Sequence, residues 1–95
     1  MNRFSIGRST TNDLHVNSAH VSFFHARLVQ EMDGLYIEHV SATPGVNTYV
    51  NGEPVIRRRV SPGDRVELSR AYTLDWNHPA VLAWLSDGGG DQLRD

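Results

Sequence analysis

The chain has 95 residues, enough for one small domain with a modest core. Its 39% hydrophobic and 21% charged residues are those of an ordinary globular domain, and a net charge of −2 gives no global attraction to nucleic acid or an anionic membrane. With no cysteine it has no disulfides, no thiolate catalysis and no cysteine-based metal site, so regular sheet packing has to hold it together. No apolar run approaches the ~18 residues of a membrane span, and the start MNRFSIGR lacks the form of a signal peptide. Cytoplasmic residence without membrane insertion is the expectation.

Phe4 and Ile6 alternate and stop at Gly7, which reads as a strand end with Arg8 just beyond it. Residues 9–13 form a polar loop in which Asn12-Asp13 can fold onto its own backbone. Leu14 and Val16 alternate around His15 as a short strand, and Asn17-Ser18 turns the chain. Residues 21–29 read as the next strand, opened by Ser22, with Phe24, Ala26 and Leu28 on one face and Phe23, His25, Arg27 and Val29 on the other. Met32-Asp33-Gly34 predicts a hairpin turn centred on Asp-Gly, and residues 35–40 return with Leu35, Ile37 and His39 sharing a face.

Residues 41–46 are a loop marked by Pro44-Gly45, and residues 48–50 are a short strand closed by Asn51-Gly52, the strongest turn dipeptide in the chain. Residues 54–60 carry Val55 and then the triplet Arg57-Arg58-Arg59; Ser61-Pro62-Gly63-Asp64 is another tight turn. Val66 and Leu68 alternate inward around Glu67, and Tyr72, Leu74 and Trp76 repeat the pattern. Turns recurring every 8–12 residues predict an all-β, two-sheet antiparallel sandwich rather than βαβ units. Beyond Trp76, Asn77-His78-Pro79 followed by AVLAWL predicts a capped short helix over residues 79–85, with proline in its first turn. The glycine-rich residues 86–90 predict a flexible linker or terminus. The expected division is a sandwich domain over residues 1–78 and a helix with a tail over residues 79–95, cut from a longer protein.

Arg8 and Ser22, on adjacent loops, offer a fixed fork of guanidinium donors and a short hydroxyl donor, a good anion site with phosphate as its natural guest. A Ser22–His25 nucleophilic pair is disfavoured, because residues three apart on a strand face opposite ways and no nucleophile elbow or orienting acid accompanies them. His15, His20 and His25 recur every five residues, a spacing that brings no two ligands together on a strand or a helix, so no metal and no cofactor is expected. The arginine triplet alternates faces and reads as a solvated edge.

Gly7-Arg8, Asn12-Asp13, Ser22-x-x-His25-Ala26 and Val50-Asn51-Gly52, in that order between about Phe4 and Trp76, resemble the forkhead-associated (FHA) domain family. The resemblance implies an FHA/SMAD-like β-sandwich that binds phosphothreonine peptides through its loops, as phospho-motif readers do. It implies Arg8 and Ser22 at the phosphate, His25 as a brace between loops, and Gly7, Asn51 and Gly52 as structural positions.

The chain departs from the family in three places. Phe23 stands where members carry a basic residue after the phosphate-binding serine. The run SATPGVNTYVNG is about three residues longer than the family's loop, which makes Thr43 a candidate second hydroxyl and Asn47 the nearest substitute for the asparagine that holds the peptide backbone. Members also carry a strand ahead of the one ending in Gly-Arg, and here only Met1-Asn2-Arg3 precedes Phe4. Either that strand is missing, or another segment, such as part of a second molecule, covers the edge. The implied function is a non-catalytic module downstream of a Ser/Thr kinase, its partner a phosphothreonine-containing protein or a segment of its own parent chain. The rival is a degenerate FHA domain that binds unphosphorylated protein or its own copy through Phe23.

Overall fold

In the computed structural model, which describes residues 2–87, the alternating segments pair into two facing sheets. In chain order the strands are β1 (Arg3–Gly7), β2 (Leu14–His15), β3 (Ala26–Glu31), β4 (Gly34–His39), β5 (Thr48–Val50), β6 (Glu53–Val55), β7 (Arg57–Val60), β8 (Val66–Leu68) and β9 (Tyr72–Thr73). One sheet has the order β2-β1-β3-β4-β7 and the other β6-β5-β8-β9. Every ladder between these strands is antiparallel except β1 with β2, which is parallel.

The period-two pattern places Phe4, Ile6, Leu28, Ile37 and Val60 of the first sheet against Val50, Val66 and Leu68 of the second, in one buried cluster. Val16, Val21 and Leu74 close its ends from the connecting segments. The predicted helix is present as α1 (Pro79–Ser86), one residue longer than expected. His78 caps it, its Nδ1 accepting the Ala80 N–H at 3.0 Å, and Pro79 occupies the first turn, where it has no intrahelical bond to lose. Val81 is fully buried in the sandwich core, and the Trp84 ring packs 5.5 Å from that of Phe4. This helix is too short to cross a membrane, and no helix among the described residues is long and apolar enough to do so. The flexible stretch expected from residue 86 extends past Asp87 and so lies mostly outside the described residues.

Three local expectations are corrected. The strand expected over residues 21–29 begins only at Ala26, and residues 21–25 form a loop. Phe24 is 55% exposed instead of sharing the inner face with Ala26 and Leu28, while His25 is fully buried. Alternation fails here because the His25 ring has backbone partners beneath the loops, and a phenyl ring there would leave those groups unpaired. The hairpin loop consists of Met32-Asp33, and Gly34 already pairs with Glu31, one residue earlier than an Asp-Gly centre implies. Residues 54–60 divide between the sheets: β6 pairs with β5, and β7 with β4.

The arginine triplet lies on β7, at the edge of the five-stranded sheet. Arg57 pairs with Glu31 at 3.1 Å and Glu38 at 3.4 Å and stacks on Tyr36, while Arg58 pairs with Glu53 at 3.0 Å. Those two charges are answered within the domain.

Candidate functional site

Glycine at position 7 is a matter of space. A Cβ there would sit 2.2 Å from the Phe23 carbonyl oxygen and 2.8 Å from Asn12 Nδ2. With only hydrogen at that position, the loop between β2 and β3 crosses directly over the end of β1. Arg8 N–H then donates to Ser22 O at 2.9 Å and Ser9 N–H to Phe23 O at 3.1 Å. Asn12 ties the same two loops, its Nδ2 donating to Phe23 O at 2.6 Å and to Ser9 O at 3.0 Å. The strand end and the Ser22 loop are therefore bonded into one unit.

Within that unit Arg8 Nε donates to Val21 O at 3.0 Å, and the guanidinium lies over the Phe23 ring, 4.2 Å from its centroid. The remaining terminal N–H groups supply the site's donors. Ser22 Oγ is 2.7 Å from Ser41 Oγ, and Ser41 Oγ also accepts the Thr43 N–H at 3.2 Å. The two hydroxyls have two protons and spend one on each other, so one remains for a guest whichever serine donates.

His25 is the brace. Its Nδ1 accepts the Ser22 N–H at 3.1 Å, and its Nε2 lies 3.0 Å from the Asn47 carbonyl oxygen. A carbonyl only accepts and an amide N–H only donates, so the pairing assigns the proton to Nε2 and leaves Nδ1 bare. His25 O also accepts from Val40 and Ser41 N–H, at 2.9 and 3.1 Å. One buried residue thus connects the Ser22 loop and the loop before β5 through its ring, and the end of β4 through its carbonyl. Burial pushes its pKa below the ordinary 6.5, outweighing the opposing bond to Asn47 O, and the neighbouring His39, edge-on at 5.7 Å, pushes the same way. His39 in turn pairs with buried Thr48, Nδ1 to Oγ1 at 2.8 Å. Ser22 and His25 are not opposed across a strand; it is the serine's backbone N–H, not its hydroxyl, that meets the ring.

These loops enclose an open depression of about 520 Å³ whose walls include Arg8, Ser22, Phe23 and Thr43. Four of the five expected contact residues therefore come together. The fifth, Asn47, is not in the walls: its carbonyl accepts both His25 Nε2–H and the Ser69 N–H at 2.9 Å, and the residue is exposed at the end of the loop. The pattern reading missed His20 and Ser69, which also line the depression. His20 is two residues before Ser22 and was legible as its loop neighbour. Ser69 arrives from the turn between β8 and β9 with no local signal at all. Asn51 and Gly52, far from the depression, take φ of 51° and 91° in the β5–β6 turn, where Asn51 Oδ1 accepts the Arg65 N–H at 2.9 Å.

The comparisons bear on this arrangement. The structure of EmbR from Mycobacterium tuberculosis, in complex with a low-affinity phosphopeptide, is similar with a TM-score of 0.63 and 25% identity over 70% of this chain. The FHA-2 domain of an ABC transporter from the same organism gives 0.63 and 29% over 72%, and the N-terminal FHA domain of Saccharomyces cerevisiae Rad53p, in complex with a phosphothreonine peptide, gives 0.59 and 25% over 67%. This chain spans 17%, 61% and 53% of those three chains. Among curated proteins none matches. The profile of the FHA domain matches residues 4–69, from the first core strand through the last turn of the depression. With most of its length so matched, and with its two sheets and loop site assembled as described, the chain belongs to the FHA domain family.

Proposed function

We propose that this chain is an interaction module that binds a phosphothreonine-containing protein segment. The observation that carries this reading is that Arg8 and Ser22, the latter with its hydroxyl paired to that of Ser41, line one depression whose walls hold no carboxylate among the described residues. A phosphoryl group offers three strong acceptor oxygens to such donors. EmbR and Rad53p, solved with phosphopeptides, support the same chemistry. Thr43 adds a hydroxyl to the walls, Val21 and Val46 give the depression an apolar lining suited to the threonine methyl, and exposed Asn47 is left to meet the peptide backbone.

On this reading the module is not an enzyme. His25 takes the Ser22 backbone N–H, so no base activates the hydroxyl. A Ser/Thr kinase upstream supplies the ligand, in another protein or in the parent chain, and the module works in the cytoplasm. The test is a titration of one threonine peptide in phosphothreonine, phosphoserine and unphosphorylated forms. Tightest binding of the first, weakened by Arg8→Ala, is the expected result; equal binding of all three refutes it.

One observation favours the phospho-independent rival: Phe23 and Phe24 are adjacent aromatics with 56% and 55% exposure. If they bind a second copy, Phe24→Ser lowers the solution mass in analytical ultracentrifugation. On the phosphopeptide reading that mass stays constant.

A further inference from the structure

Among the described residues, the walls of the depression contain one permanent cation and no carboxylate. Arg8 is already partly committed, with Nε on the Val21 carbonyl and one face against the Phe23 ring. A phosphoryl group at neutral pH carries about −1.5 to −2, so a single guanidinium leaves much of that charge unanswered. The wall hydroxyls of Ser22 and Thr43 donate hydrogen bonds but no charge. Among the wall residues the other ionisable group is His20, which is exposed. It shares the loop of Ser22, and its backbone is fixed there by an N–H bond to Ser18 Oγ at 3.3 Å, followed by the Val21 N–H to Ser18 O at 3.1 Å. Its imidazole has no hydrogen-bond or ion-pair partner among the described residues. Phe23, the residue directly after Ser22, brings no charge and turns its ring to Arg8.

We propose that His20 is the second side chain with a ring or guanidinium N–H to contact the phosphate at this site, donating that N–H to a phosphoryl oxygen that Arg8 does not hold. The proposal rests on the phosphopeptide reading above and adds a specific residue to it. Imidazole donates from a ring N–H whether neutral or charged, and its charged form adds attraction. The exposed loop before Ser22 is a suitable origin for such a contact, because the His20 ring has no partner to leave among the described residues and the His25 brace uses other groups.

The test titrates wild type, His20→Ala, His20→Gln, His20→Arg and Arg8→Ala with N-acetyl-O-phosphothreonine methylamide and with a phosphothreonine peptide flanked only by alanines. His20→Ala should weaken both ligands by about three- to fivefold, the scale of an exposed charge contact. His20→Gln should fall between, and His20→Arg should match or exceed wild type. The His20 ring protons should shift in NMR spectra as the methylamide is added. His15→Ala, an exposed histidine on β2 outside the depression, should change neither affinity. Unchanged affinity in His20→Ala together with loss in Arg8→Ala overturns the proposal and leaves the phosphopeptide reading intact. A loss that appears only with the peptide and not with the methylamide also overturns it, since His20 would then read the flanking chain and not the phosphate. Failure of wild type to bind either phosphorylated ligand defeats the parent reading itself and is visible without any variant.

Discussion

Arg8 and Phe23 are stacked, with Arg8 Cζ 4.2 Å from the ring centroid, and the same guanidinium is anchored by Nε to Val21 O at 3.0 Å. The ring occupies the position after Ser22 and serves as a platform that fixes the direction of the remaining N–H groups. An exposed cation–π contact contributes about 0.5–1 kcal/mol. Phe23→Ala should therefore weaken phosphopeptide binding by about two- to fivefold, while Phe23→Tyr, which keeps the ring, should not. Fluorescence anisotropy with a labelled phosphopeptide measures both, and equal affinity in all three proteins would remove the platform role.

Arg8 and Ser22 should differ in weight. Hydrogen bonds to charged groups contribute about 1.5–3 kcal/mol each, roughly tenfold or more in dissociation constant. Arg8→Ala removes charge as well as donors and has no substitute. Ser22→Ala leaves the Ser41 hydroxyl, 2.7 Å from the lost one and free to turn inward. The expected order in isothermal titration calorimetry is wild type, then Ser22→Ala, then Arg8→Ala, with a moderate decrease for all three as salt is raised. Ser22→Ala as severe as Arg8→Ala would argue against the shared hydroxyl pair.

Gly7→Ala tests the crossing of the two loops. The added methyl would meet backbone, the Phe23 carbonyl oxygen at 2.2 Å, and no flexible side-chain tip could yield instead. Overpacking of this kind costs about 1–3 kcal/mol, which for a domain this size lowers Tm by about 4 °C or more. Differential scanning calorimetry would show it. An unchanged Tm would mean that the loop relaxes freely, and the rigid Arg8–Ser22 unit would then have to be abandoned.

His25 gives the fold a pH dependence with a defined sign. Burial lowers its folded-state pKa below the ordinary 6.5. Above about 6.5 neither state binds the proton and the contribution to stability is complete; as pH falls through 6.5 toward the lower folded value, the unfolded chain takes up the proton first and stability is lost. Asp64 responds in a separate, more acidic window, because the Ser61 N–H and then the Asn51 amide hold its carboxyl below the usual 3.8. Urea unfolding should therefore give a lower midpoint at pH 5.5 than at pH 7.5. His25→Ala should cost about 1–3 kcal/mol at pH 7.5 through the unpaired Ser22 N–H and Asn47 C=O, and it should flatten the slope between those pH values. A slope unchanged by the substitution would assign it to another group.

Where a few consecutive residues suffice, the chain by itself determined the structure. Asn51-Gly52 dictates a turn because both residues tolerate positive φ, and they adopt 51° and 91°. Phe4 and Ile6, Leu35 and Ile37, and Val66 and Leu68 dictate strands because one face of a pleat must leave water, and all six are buried. His78-Pro79 dictates a helix start because a side-chain nitrogen and a missing N–H answer the unpaired amides there. The tertiary structure decided what depends on loops distant in sequence. Ser22 meets Ser41 across 19 residues, and His25 meets Asn47 across 22. Those contacts turn His25 inward and Phe24 outward against the period-two pattern, delay β3 to Ala26, and bring Ser69 into a wall whose other residues are distant from it in sequence. The reason is that alternation records which face of one strand is buried and carries nothing about the distance between loops. That distance follows from backbone groups beneath the loops which must find partners once water is excluded, and the His25 ring is the group that reaches them.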